Sequence, residues 1–407
     1  MSDMHFARDF TRGILGRPDK PELWQDIISH IPENVFLRKN LKVLCVAAGH
    51  GTEADVVVKK MRELGVDIED IKSSVYCLDL YEIFTNALSR RGYTNVIQKD
   101  FLEFKSSHKF DLVLGNLPKE SQDESTYTNI WSDMYVKCFD LLKSNGYSGL
   151  VTPRTWATSK TSDKDSQTSV VKNIITNHAV HINLDECGRH FPEFGSTFTY
   201  SVCSKKPTKG KTVTLQTTAS TLKITNLEKV MYRLPKNASS ESISIFEKVF
   251  SSKMFQKSPK ATPKGNMIHD RDRNNSNKDI YKYRVQFSFG TVKWSDTISN
   301  YQYDKKVIFP NQTASNFPIY DKGESAGPNR GAVFLVDSDT QGENFVKFCK
   351  SKLMQFVISE QRFHHGLLNT NVISDIPYID LDKEYTDEEI YKLFDLTQSE
   401  INYIENH

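Results

Sequence analysis

Four short apolar runs constrain this chain most, because each ends in a residue that packing alone would not require. Val43–Ala47 leads into Gly49-His50-Gly51 and then a helical stretch. Val75–Leu78 ends at Asp79, Val96-Ile97 is followed closely by Asp100, and Leu112–Gly115 ends at Asn116. Continuous apolar runs of this length read as strands buried on both faces. The pattern predicts strands at 43–47, 75–79, 95–98, 111–115, 148–152, 180–184 and 197–204. Helices are expected at 53–64, 81–91, 126–143 and about 166–177, with another at 22–31 before the first strand. Strands alternating with helices form a doubly wound α/β sheet, and the strand ends then share its carboxyl edge. The last two strands are separated by a loop without helical pattern, so they are expected to pair as an antiparallel hairpin at the sheet edge.

A chain of 407 residues is long enough for two domains. Composition shifts at Lys205-Lys206-Pro207, a basic connector. The expected division is therefore an α/β domain over 1–205 and an α+β domain over 206–407. No run approaches the roughly 18 apolar residues of a membrane span. Cysteines at 45, 77, 138, 187, 203 and 349 form no Cys-x-x-Cys pair. Reduced thiols, a cytoplasmic location, no metal site and no membrane contact are expected. Cys187 and His190 lack the further partners a metal would need.

The strand ends carry the chemistry. Gly49 and Gly51 suit a sharp turn with a ligand close to the backbone, since glycine adopts positive φ and has no Cβ to collide. A tight structural turn would use the same residues. Asp79 can accept both hydroxyls of a ribose, and Asp100 can accept an adenine amino group, with Phe101 against the ring. A nucleoside cofactor accounts for this order. A dinucleotide fits less well, because Glu53-Ala54 stand where its third glycine would fall. Asn116 precedes Leu117-Pro118-Lys119. An amide held at such a turn can orient an attacking amine, although a strand-ending Asn-x-Pro turn is also common.

In the second half, residues 212–235 read as strands and turns and 241–251 as a helix. Between 253 and 306 there are 12 Lys/Arg against 5 Asp, interleaved with aromatics such as Tyr283, Trp294 and Tyr303. Cations with aromatics suit phosphate contact and base stacking, and Lys282, Arg284 and Lys293 are the candidate contacts. A strand-rich core with a solvated basic edge would look alike. Helical order returns at 343–358, and capping signatures at Thr386 and Thr397 predict two short closing helices.

Together these segments resemble the gamma-class adenine-N6 DNA methyltransferases of restriction–modification systems, the group that includes TaqI methyltransferase. The resemblance runs over nearly the whole chain. Residues 41–51 are similar to the family's first motif, Asp79 to its ribose acid, Asp100-Phe101 to its adenine contact and 110–116 to the strand before its catalytic tetrad. Residues 146–153 with Trp156 resemble its fifth strand, and 191–200 the segment whose phenylalanine stacks on a flipped base. The tail at 376–397 resembles the close of the recognition domain in large members and is the more specific signal. The chain has Asn-Leu-Pro-Lys at 116–119 where the family has Asn-Pro-Pro-aromatic.

The resemblance implies a seven-stranded Rossmann-like methyltransferase sheet followed by a target-recognition domain. S-adenosyl-L-methionine would be held by Ala47, Ala48, Gly49, Gly51, Asp79, Leu80, Asp100, Phe101 and Asn116. Asn116, Pro118 and Lys119 would be catalytic, and Phe191 would stack on the base, with Tyr127 and Trp131 as other aromatics in reach. The partner implied is nucleic acid, double-stranded DNA first, with a protein partner as a further expectation. The alternative is a methyltransferase-fold protein that binds nucleic acid or protein without methylating it.

Overall fold

The computed structural model describes residues 20–118, 130–158, 167–184, 190, 198–217, 220–225, 227–231, 234–235, 237–252, 282–288, 291–309, 318–327, 332–361, 376–377 and 379–407. These fall into two compact units, 1–231 and 232–407.

The first unit is built on β1 (Val43–Val46), β2 (Val75–Asp79), β3 (Asn95–Gln98), β4 (Phe110–Asn116), β5 (Leu142–Pro153), β6 (Ala179–Asn183), β7 (Phe198–Ser204), β8 (Val213–Gln216) and β9 (Thr221–Ile224). They make one nine-stranded sheet in the order β3-β2-β1-β4-β5-β7-β6-β8-β9. All four residues of β1 and all but Asn116 of β4 are buried, as a parallel sheet covered on both faces demands. The helices are α1 (Pro21–Ser29), α2 (Glu33–Phe36), α3 (Thr52–Glu63), α4 (Ile68–Ser74), α5 (Glu82–Arg90), α6 (Ile130–Asp140), α7 (Gln167–His178) and α8 (Leu227–Val230). Helix α1 buries Leu23, Trp24, Ile27 and Ile28 and packs on α3 and β7. The seven strands and four crossover helices expected from the sequence are present, with ends shifted by a few residues.

Three expectations for this unit need correction. β6 and β7 do pair antiparallel, but not at the edge. β7 inserts between β5 and β6, and β6 then pairs in parallel with β8, which pairs with β9. The sheet therefore has nine strands rather than seven. The chain does not leave this unit at the basic connector near 205 but at 231–232, because 213–224 complete the sheet.

The second unit contains the hairpin β10 (Tyr283–Ser288) and β11 (Thr291–Ser295). It also contains a three-stranded antiparallel sheet in the order β13 (Ile319–Asp321), β12 (Lys306–Phe309) and β14 (Ala332–Leu335). Its helices are α9 (Ser240–Ser251), α10 (Asp339–Lys350), α11 (Lys352–Ser359), α12 (Asp387–Leu393) and α13 (Gln398–Glu405). Phe334 and Phe345 meet edge to face at 5.2 Å inside the apolar core, which also takes Val307, Phe356, Ile390 and Ile404. The apolar run at 343–358 is not one helix. Ser351 is extended and its hydroxyl accepts the Met354 N–H, which ends α10 and starts α11. Thr386 and Thr397 form the expected capping boxes with Glu389 and Glu400. Among the described residues no helix is long and apolar enough to cross a membrane.

Candidate functional site

Register places the chemistry at one edge. Val46 stands opposite Leu78 on one side and Gly115 on the other; Asp79 lies opposite Gln98, and Asn116 opposite Val151. The 47–51 loop, Asp79, Asp100 and Asn116 therefore all lie at the carboxyl ends of adjacent parallel strands. Strand order reverses between β1 and β4, so the 47–51 loop and Asn116 flank the topological switch point where such sheets bind ligands. Gly115 is required for this approach, since a Cβ there would lie 2.8 Å from the Val46 carbonyl oxygen.

The loop from β1 to α3 has Ala47, Gly49 and Gly51 at positive φ (52°, 49° and 76°), and Gly51 caps α3. Asp79 holds this loop. One carboxylate oxygen accepts Gly49 N–H at 2.8 Å and the other accepts Tyr81 N–H at 2.9 Å. Burial pushes the Asp79 carboxyl above its ordinary range, while backbone donors from Tyr81, Gly49 and Leu80 pull it down. Beside the 5% exposed Asp79, the apolar Leu80 is 40% exposed. Asp100 is exposed and one of its oxygens accepts Leu102 N–H at 2.7 Å. Phe101 is buried under the Lys137 ammonium, 5.3 Å from the ring centroid. Ala48 is buried and Ala47 half-buried.

A nucleoside fits this set. A buried carboxylate and an exposed one lie at neighbouring strand ends, with an exposed apolar side chain next to the first. The backbone loop alongside has a glycine amide already held by Asp79.

Asn116 is half-buried at the end of β4. Leu117, the departure from the family tetrad, is 2% exposed, and its N–H donates to Val151 O at 3.1 Å. A proline could not make that bond, so a hydrogen bond to β5 holds this turn where the family has a second ring. Pro118 is exposed. Lys119, Tyr127 and Phe191 lie outside the described residues, as does Cys187. Trp131 is 1% exposed and so is core rather than surface, and Trp156 is buried with its indole N–H on Thr199 Oγ1 at 3.0 Å.

In the second unit the basic candidates do not form one patch. Arg284 stands opposite Trp294, and Lys293 opposite Val285. Directly opposed residues share a face and successive ones alternate, so Arg284 and Lys293 project to opposite faces. Arg284 pairs with Glu324, Lys305 with Asp339, and the buried Lys306 with Asp321 at 3.0 Å. Lys282 is exposed. Seven of the twelve cations (253, 257, 260, 264, 271, 273 and 278) lie outside the described residues.

Sequence reasoning missed Arg91. Its guanidinium donates to the His50 carbonyl and to Asp55. A cation closing a helix is a common terminus signal, so nothing in the sequence set it apart.

Residues 59–187 match the family described as Eco57I restriction-modification methylase. That span includes Asp79, Asp100 and Asn116 but begins inside α3, beyond the 47–51 loop. No curated protein matches the chain. Among solved structures, the type IIG restriction endonuclease BpuSI is similar over 99% of this chain and 62% of its own, at 10% identity and a TM-score of 0.45. The M protein of the type I restriction enzyme EcoKI is similar over 50% and 48%, at 11% identity and 0.38. A structure from Listeria monocytogenes, described as a class I S-adenosylmethionine-dependent methyltransferase, is similar over 49% and 65%, at 17% identity and 0.38. The chain spans less than two thirds of the length of each of these structures. By its sheet order and by the match at 59–187, the first unit is a methyltransferase fold, and the chain resembles the restriction–modification methylases.

Proposed function

We propose that the chain is an S-adenosyl-L-methionine-dependent methyltransferase that acts on the exocyclic amino group of adenine in DNA. The observation that carries this reading is that the Asp79-held glycine loop and Asn116 flank the β1/β4 switch point at the ends of adjacent strands. S-adenosyl-L-methionine, when bound, supplies an electrophilic methyl group. Asp79 accepts from its ribose hydroxyls with the lone pairs that Gly49 and Tyr81 leave, and Asp100 accepts from its adenine amino group. Asn116 Oδ1 and the Leu117 carbonyl accept from the amino group of a base turned out of the duplex. Those bonds aim the nitrogen lone pair and stabilise the positive charge it gains. The second unit, with its cations and aromatics, is the proposed target-recognition domain.

The test is sequencing that detects base methylation in DNA from cells with and without the protein. N6-methyladenine at a defined motif, lost in Asn116→Ala, is the expected result. If no methylation is found while the protein still retains DNA in a gel shift, the chain is a binding protein on an enzyme's fold. The altered Asn-Leu-Pro-Lys turn is the feature that would then account for it.

A further inference from the structure

The glycine loop is gripped from two sides, and only one grip belongs to a strand end. Asp79 takes the Gly49 amide. From the other side, Arg91, just past α5, donates to the carbonyl oxygen of His50 and reaches the Asp55 carboxylate in the first turn of α3. Asp55 is itself held by the Tyr93 hydroxyl at 2.6 Å, and the guanidinium lies 5.7 Å from the Tyr93 ring centroid. The loop also lies directly on the last turn of α5. A Cβ on Gly51 would meet Leu88 Cδ2 at 2.4 Å and Arg91 Nη1 at 3.5 Å. One side chain thus ties the loop, the helix that follows it and the segment after α5 together.

We propose that Arg91 is a positioning residue for the cofactor loop. It keeps the His50 carbonyl turned toward α5, so that the 49–51 backbone holds the shape against which the cofactor rests. A carbonyl free to rotate would present the negative end of its dipole to the anionic carboxylate of an amino-acid cofactor. The proposal rests on reading this edge as the S-adenosyl-L-methionine site. It gives Arg91 no contact with the cofactor; the side chain acts through His50 and Asp55.

Two measurements on the full chain separate the proposal from the reading it rests on. Calorimetry with S-adenosylhomocysteine gives affinity, and amide hydrogen exchange of the 47–54 segment without ligand gives loop order. Arg91→Ala is expected to weaken binding roughly tenfold, the scale of one charge-assisted hydrogen bond. Exchange at 47–54 should quicken while exchange at 130–140 stays the same. Arg91→Lys, able to keep one of the two acceptors, should recover part of the affinity; it also serves as the readout if the alanine variant does not fold. Unchanged affinity overturns the proposal, even if the alanine variant melts earlier, since a purely structural residue would behave that way. If the wild type binds no S-adenosylhomocysteine, the cofactor reading fails and exchange decides on Arg91 alone. Faster exchange confined to 47–54 keeps the clamp, and unchanged exchange removes it.

Discussion

The Asp79 carboxylate accepts the Gly49 amide at 2.8 Å, so the acid at the end of β2 helps build the loop at the end of β1. Two features that a sequence reader scores separately are one physical unit. Damage to either should appear in both loop order and cofactor affinity.

Asp79→Ala should therefore weaken S-adenosylhomocysteine binding by more than its ligand contacts alone. Each charge-assisted bond lost costs about 1.5–3 kcal/mol. Affinity should also fall on acidification. Because burial raises the Asp79 pKa, the loss should begin above the ordinary carboxylate range. Calorimetry across pH reads both effects, and an Asp79→Ala affinity equal to wild type would remove Asp79 from the site.

Leu117→Pro restores the family residue and deletes the Leu117 N–H to Val151 O bond. The variant should be less stable by about 1 kcal/mol or more. A melting temperature equal to or above wild type would show that the bond contributes nothing.

His181 stacks on His30 with ring centroids 3.5 Å apart, and its Nε2 lies 3.2 Å from the Tyr200 hydroxyl, which donates to Asp26 at 2.6 Å. Nε2 therefore carries the proton, and Nδ1 is a buried nitrogen without a hydrogen-bond partner among the described residues. Burial, with His30 adding to it, pushes His181 down to about 3. The unfolded chain then binds more protons between about pH 6.5 and about 3, so stability is full above that window and falls as pH drops through it. Asp26 acts in the same direction at the acid end. Burial raises its pKa, but the His30 imidazole 3.6 Å away and the Tyr200 hydroxyl that donates to it outweigh that and leave it lowered. His181→Phe should flatten the dependence of melting temperature on pH between 6.5 and 4. An unchanged slope would place the acid sensitivity elsewhere.

In the second unit, Lys306 is fully buried, and Asp321 Oδ1 receives its ammonium together with the backbone N–H groups of Gly323, Glu324 and Ser325. Asp321→Asn leaves the ammonium buried without its counter-charge and should cost about 3–5 kcal/mol. Denaturant titration of the variant gives the value; a loss under about 1 kcal/mol would mean that the Gln302 and Asp304 carbonyls alone satisfy the lysine.

Nucleic-acid binding should weaken steeply between roughly 50 and 200 mM salt. Because Arg284 and Lys293 project to opposite faces, charge reversal at one should matter far more than at the other. Equal effects from both, in a gel shift with several unrelated sequences, would mean that both faces of the hairpin meet the nucleic acid.

The strand ends were legible because β1 and the Leu112–Gly115 stretch of β4 are apolar, and only a sheet covered on both faces accepts such runs. Residues 221–224 were harder. Thr221-Leu-Lys-Ile alternates as any half-exposed strand would, and its place beside β8 depends on contacts far away in sequence. The break at Ser351 was hidden because apolar spacing continues across it. The faces of Arg284 and Lys293 depend on hairpin register, which side-chain types do not reveal. Arg91 was illegible for a related reason. Its two acceptors, a backbone carbonyl and Asp55, lie about forty positions earlier in the chain.

The β8–β9 addition sets where this protein can be cut. A module ending at the basic connector near 205 would strip β8 from β6 and bare a row of unpaired backbone groups, an invitation to intermolecular strand pairing. A recombinant first unit, or a chimera that exchanges second units, should be joined after Met231, where the sheet closes on the short β9 with Lys223 at its centre.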